Sequence, residues 1–139
     1  MRVYFDSSAF AKRYLDEAGT REVLAWSDRA QEVALSVVAI PELVSAFCRL
    51  RRDGVINESE YQQMKGDFMA DIADALICDT SPQVIQQAVG GLESNPLRTL
   101  DAIHVAAALA VGADTFVSAD ARQCAAARGL GMNVVAVGA

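Results

Sequence analysis

The sequence predicts an α/β fold: a three-layer α/β/α sandwich around a mostly parallel five-stranded sheet. Two observations carry this. Short apolar runs alternate with longer helical segments along the whole chain, which is the signature of strands joined by helical crossovers. No repeat, low-complexity tract or linker interrupts the pattern, and 139 residues are one ordinary domain's length. A single domain over residues 1–139 is therefore expected.

The elements follow in order. Arg2 to Phe5 reads as the first strand, Ser7 to Leu15 as a short helix and Thr20 to Arg29 as another. Glu32 to Val37 is the second strand. Pro41 marks the start of a helix, because its missing N–H costs nothing in a first turn. That helix runs through Leu43, Val44, Phe47 and Leu50 and stops at Asp53-Gly54. Asn57, with Glu60 three residues on, forms a capping box for the next helix. Leu76 to Asp79 is a short third strand, and Ser81-Pro82 starts a helix that weakens at Gly90-Gly91. Thr99 opens an alanine-rich helix through Ala110. Asp114 to Ser118 is the fourth strand, Ala121 to Arg128 the last helix, closed by Gly129, and Met132 to Val137 the fifth strand.

Composition excludes several classes of function. Hydrophobic residues make up 53% and charged ones 22%, the balance of a globular protein, and no apolar run reaches the length of a membrane span. The N-terminus shows no charged-then-apolar leader, so a cytoplasmic protein is expected. Cys48, Cys78 and Cys124 are odd in number and widely spaced, which fits free thiols better than disulfides or a zinc site. One histidine, His104, argues further against zinc with His ligands. A net charge of −6 argues against a protein that coats nucleic acid broadly.

The carboxylates are the informative residues. Parallel sheets bind ligands at the carboxyl ends of their strands. Asp6 ends the first strand, and Asp120 follows the fourth in FVSAD. Asp101 lies in the first turn of the apolar helix LRTLDAIHVAAALA, and Glu42 in the first turn of AIPELVSAF. Each alone reads as a cap, a turn residue or a helix-dipole partner. Four acids converging in apolar surroundings would repel one another unless cations offset the desolvation. Carboxylate oxygens are hard ligands that suit Mg²⁺ or Mn²⁺. A metal so held lowers the pKa of water and clamps phosphodiester oxygens, which points to nucleotidyl hydrolysis.

The segments YFDSSAF, PELVSAFCR, LRTLDAIHVAAAL and FVSADARQCAAARGLGMNVV resemble the four acidic motifs of the PIN-domain family. The likeness is greatest to the VapC-type toxin ribonucleases of toxin–antitoxin pairs, and it covers essentially the whole chain. The resemblance implies a PIN fold and a Mg²⁺- or Mn²⁺-dependent endoribonuclease that hydrolyses RNA phosphodiesters. It implies that Asp6, Glu42, Asp101 and Asp120 are the catalytic, metal-binding quartet, with Asp6 and Asp101 the first choices for direct ligands. Ser8 matches a small polar residue that supports the first acid, and Ser118 the hydroxyl residue before the last. It further implies a homodimer and a cognate antitoxin whose tail covers the acidic cleft, a basic segment on an acidic surface.

Among the basic residues, Lys12 and Arg13 are the substrate candidates because they follow Asp6 closely; Arg49, Arg51, Arg52 and Arg98 are further phosphate candidates. His104, three residues after Asp101, could orient a ligand or touch substrate; the reading preferred is a half-buried core histidine satisfied by a nearby backbone group, outside the site. An aspartyl phosphotransferase would need a second Asp where Ser8 stands, and a receiver domain a late lysine, whereas the last here is Lys65. The alternative from another class is a PIN-like domain that binds RNA or protein without cutting.

Overall fold

In the computed structural model, which describes residues 1–138, the expected sandwich is present. The order is β1 (Arg2–Phe5), α1 (Ser7–Phe10), a 3₁₀ turn (Ala11–Tyr14), α2 (Thr20–Arg29), β2 (Glu32–Ser36), α3 (Ala39–Arg52) and α4 (Glu58–Ala73). Then follow β3 (Leu76–Cys78), α5 (Pro82–Ser94), α6 (Thr99–Ala110), β4 (Thr115–Ser118), α7 (Ala121–Gly129) and β5 (Asn133–Ala136). The sheet order is β3-β2-β1-β4-β5, and every pairing is parallel.

Successive strand residues face opposite layers, so parity assigns each side chain. Val3, Phe5, Leu35 and Val117 pack with Phe10, Val23, Leu43, Phe47, Tyr61 and Phe68, from α1 to α4. Tyr4, Ala34 and Phe116 pack on the other face with Val105, Ala107 and Ala108 of α6 and Ala126 and Ala127 of α7. Residues Asp101 to Ala108 of α6 are all buried, because this helix lies among the sheet, α5 and α7. Its alanines let those neighbours approach closely.

Three boundaries differ from the sequence reading. Helix α3 starts at Ala39, so Pro41 is its third residue, not its first. The first i→i−4 bond is then Glu42 N–H to the Val38 carbonyl, at 3.2 Å, and the proline still removes no bond. Helix α5 does not weaken at Gly90-Gly91 but continues to Ser94. Two glycines cost about 1 kcal/mol each in a helix, and burial of Val84 and Ala88 against α6 outweighs that. The segment from Ser7 to Leu15 divides into α1 and the 3₁₀ turn.

The strand order positions the site. The chain lays β1, β2 and β3 in one direction, then crosses to the other side of β1 with β4. The crevice at the carboxyl ends of β1 and β4 is the topological switch point, where open α/β sheets bind ligands. Among the described residues no helix is long and apolar enough to cross a membrane.

Candidate active site

Asp6 stands in that crevice. Its N–H donates to the Val117 carbonyl at 3.1 Å, which carries the β1–β4 ladder one residue past the strand. Its carboxylate caps α1, accepting from Ala9 N–H at 2.9 Å, and accepts the Ser8 hydroxyl at 2.9 and 2.7 Å. Ser8 Oγ also accepts from Ala119 N–H at 3.2 Å, tying the ends of β1 and β4 together. Asp6 is 1% exposed. Burial pushes its carboxyl above the ordinary range, against His104 and the hydrogen bonds of Ser8, Ala9 and Ser118.

Asp120 caps α7, accepting from Gln123 N–H at 2.9 Å, while its own N–H donates to Ser118 Oγ at 2.9 Å. Asp101 lies at the start of α6, where Oδ1 accepts from Gln123 Nε2 at 2.8 Å. Its Oδ2 accepts from the Arg98 N–H at 3.1 Å and from Arg98 Nε at 3.0 Å. Burial works upward on Asp101, but the bonds from Arg98 and Gln123 outweigh it and hold the carboxyl below its ordinary value. Arg98 Nη2 reaches Asp120 Oδ2 at 3.5 Å, so one guanidinium joins two of the four acids.

Glu42, near the start of α3, accepts from Ser7 Oγ at 2.6 Å and from His104 Nε2 at 2.7 Å. Burial works upward here too, and His104 and Ser7 hold the carboxyl below its ordinary value. His104 is 1% exposed, and its Nδ1 lies 2.7 Å from the Tyr4 hydroxyl. A carboxylate only accepts, so Nε2 carries the proton facing Glu42. In the neutral ring Nδ1 then accepts from Tyr4. This corrects the half-buried, backbone-satisfied histidine expected from the sequence: His104 is fully buried and fixed between a core tyrosine and a site acid.

Lys12 and Arg13, the substrate candidates, have their charges paired with acids outside the four. Lys12 is buried, pairs with Glu17 at 3.1 Å and lies against Gly138, where a side chain would collide with it. Arg13 pairs with Asp71 at 3.3 Å and stacks on the Phe10 ring. Arg51 pairs with Glu58 and stacks on Tyr61. Arg98 is the one lysine or arginine paired with any of the four acids among the described residues.

The profile of the family described as PIN domain matches residues 3–129. The chain belongs to the PIN-domain family. It is 34% identical over 110 residues to Ribonuclease VapC45 of Mycobacterium tuberculosis, covering 79% of this chain and 76% of that protein. A toxin–antitoxin complex from Klebsiella pneumoniae has the same fold, with a TM-score of 0.70 at 16% identity, 96% of this chain and 95% of that one. So does VapC20 of M. tuberculosis, titled a Sarcin-Ricin loop cleaving toxin, with a TM-score of 0.65 at 15% identity, 89% of this chain and 94% of that one.

The donor set of this PIN domain fits a hard divalent cation, since it is all carboxylate oxygen. Among the described residues no three His, Cys, Asp or Glu side chains form a ready cage. Mg²⁺ needs none, because it binds through one or two carboxylates and keeps several waters. Gln123 adds a second mark of fit: its amide nitrogen serves Asp101, while its Oε1 is buried without a donor. A metal-bound water would be a donor of the kind that Oε1 lacks. The sequence reading missed Gln123, Ser7 and the bridging place of Arg98. The signal available was spacing, since Gln123 lies three residues after Asp120, and Arg98 three before Asp101.

Proposed function

We propose that this PIN domain is a metal-dependent endoribonuclease that hydrolyses RNA phosphodiester bonds, the toxin of a toxin–antitoxin pair. The observation that carries the reading is the pairing of Asp101 and Asp120 through Arg98 beside the β1/β4 switch point, where Asp6 ends β1, with Glu42 held by Ser7 and His104. The relatives named as ribonucleases support it. Asp6 and Asp101 are the first choices to hold Mg²⁺ or Mn²⁺, with Glu42 and Asp120 completing the set. When bound, the metal supplies an acidified water and neutralises charge on the phosphate.

The remaining work falls to the chain itself. Ser8 and Ala9 N–H orient Asp6. Gln123 and Arg98 orient Asp101. Ser7 and His104 hold Glu42 ionised, ready to position or deprotonate the attacking water. The acid surplus also suits a basic antitoxin segment laid across the cleft, and homodimerisation belongs to the same reading.

The test is RNA cleavage by purified, antitoxin-free protein in Mg²⁺ or Mn²⁺, beside EDTA and Asp6→Asn. Cleavage should vanish in both controls. The loss should exceed the roughly 10–100-fold that removal of a ligand's hydrogen-bond partner brings. Folded protein that binds RNA and cuts none, in any metal, would replace the reading with a non-cutting domain.

A further inference from the structure

We propose that Arg98 and a divalent cation compete for Asp101 and Asp120, and that the displaced guanidinium then binds a phosphate of the RNA. The proposal rests on the metal-nuclease reading above. Arg98 spends both ends of its guanidinium on acids of the site, Nε on Asp101 and Nη2 on Asp120. A cation bound by those oxygens competes with these bonds. The Arg98 side chain is 73% exposed while Asp101 and Asp120 are 6% and 20% exposed, so the guanidinium is the partner free to move.

The geometry also separates a fixed part from a movable one. The Arg98 N–H donates to Asp101 Oδ2 at 3.1 Å, anchoring the backbone at the start of α6. The long side chain can leave without disturbing that bond. Arg98 also lines a recess with Glu42, Thr99, Leu100 and Asp101, so the freed guanidinium remains at the cleft. A guanidinium pushed off carboxylates by a divalent cation seeks another anion, and phosphate matches its fork. The same charge thus shields the acids from one another and later receives the substrate.

Two equilibrium measurements test this on the full chain, comparing wild type with Arg98→Gln and Arg98→Lys. Mn²⁺ binding is followed by electron paramagnetic resonance without RNA. Binding of a single-stranded oligoribonucleotide is followed by fluorescence anisotropy at stepped KCl, with Ca²⁺ in place of Mg²⁺ to suppress turnover. Circular dichroism confirms that each variant is folded. Arg98→Gln should bind Mn²⁺ roughly two- to tenfold more tightly, because the guanidinium no longer competes for either acid. It should bind RNA more weakly, with the slope of log K against log salt shallower by about 0.7, one phosphate contact. Arg98→Lys should keep the salt slope and compete only in part, which a purely structural role at the start of α6 would not reproduce. Unchanged or weaker Mn²⁺ binding by Arg98→Gln, or an unchanged salt slope, overturns the proposal. Wild type that binds no Mn²⁺ overturns the metal reading itself, and the competition with it.

Discussion

Two arginine–carboxylate clusters in this protein look alike and differ in one respect. In the first, Asp71 receives Arg13 at 3.3 Å and the Tyr14 hydroxyl at 2.5 Å, and Arg13 rests on the Phe10 ring. One cation meets one anion among aromatic side chains. In the second, Arg98 meets both Asp101 and Asp120, so one cation serves two carboxylates. Buried charge is tolerated when paired and costly when in surplus. The first cluster is complete in itself, whereas the second needs further positive charge. Stoichiometry, more than burial or residue type, separates the structural cluster from the functional one.

Exchanging the acids is the strongest way to break the comparison. Asp101→Asn should abolish cleavage of RNA, assayed in Mg²⁺, and leave the protein folded. Asp71→Asn should do the reverse: cleavage by folded protein persists, while chemical denaturation shows a loss of about 1–3 kcal/mol from weakened bonds to Tyr14 and Arg13. If Asp71→Asn silences the enzyme without unfolding it, charge stoichiometry does not distinguish the clusters.

The next effect lies in the support of Glu42. Tyr4→Phe removes the hydroxyl beside His104 Nδ1, and leaves a ring that still stacks on Phe116. His104 loses the hydroxyl that holds its Nδ1, and Glu42 loses a well-aimed donor. Cleavage should fall about tenfold, the lower end of what loss of an outer partner brings. The loss should lie in kcat with KM retained, because Tyr4 sits in the core and touches no substrate. A loss in KM alone would sink this reading.

These two residues also show where the sequence is legible. Strand ends, caps and alternation gave the sheet, because each depends on neighbours in the chain. Asp6, Glu42, Asp101 and Asp120 were legible for the same reason: each occupies the end of an element, where a parallel sheet presents its residues. The partners of His104 were not. Tyr4 and Glu42 lie 100 and 62 residues away, and their meeting depends on how α3 and α6 pack about β1. The pairings of Lys12 and Arg13 were not legible either, because closeness to Asp6 in sequence carries no direction. The 3₁₀ turn leaves one against Gly138 and the other beside Asp71.

A third effect sharpens the contrast within the acidic cluster. Burial raises the Asp6 carboxyl, and the bonds from Arg98 and Gln123 lower that of Asp101. A cation held by Asp6 competes with its proton as pH falls. Mn²⁺ affinity should therefore weaken on acidification while Asp101 and Glu42 are still ionised, starting above the ordinary carboxylate pKa of about 4. Titrations of Mn²⁺ at stepped pH would check this. Affinity that holds steady until the ordinary carboxylate range would show Asp6 to be no ligand, or to be ionised as easily as its neighbours.

The smallest effect is on stability, and its sign divides Asp6 from Glu42 and Asp101. Asp6 has a folded pKa above its unfolded one, so the folded protein binds the proton more tightly. The contribution of Asp6 to wild-type stability therefore falls as pH rises from the ordinary carboxylate range through the raised pKa. Asp6→Asn has no such loss, so its advantage over wild type should grow across that window and level off above it. Glu42 and Asp101 have depressed folded pKa values, and each contributes stability that is present above the unfolded pKa and lost as pH falls through the folded one. Glu42→Gln and Asp101→Asn should therefore be least favourable near neutral pH, with deficits that shrink in acid. Thermal melts of the three variants in EDTA, from neutral pH downward, should give opposite slopes for Asp6 and for the other two. A common slope would mean that Asp6 is as well compensated by Ser8, Ala9 and Ser118 as Asp101 is by Arg98. The need for added positive charge would then have to be carried by the surplus of acids alone, with no contribution from the burial of Asp6.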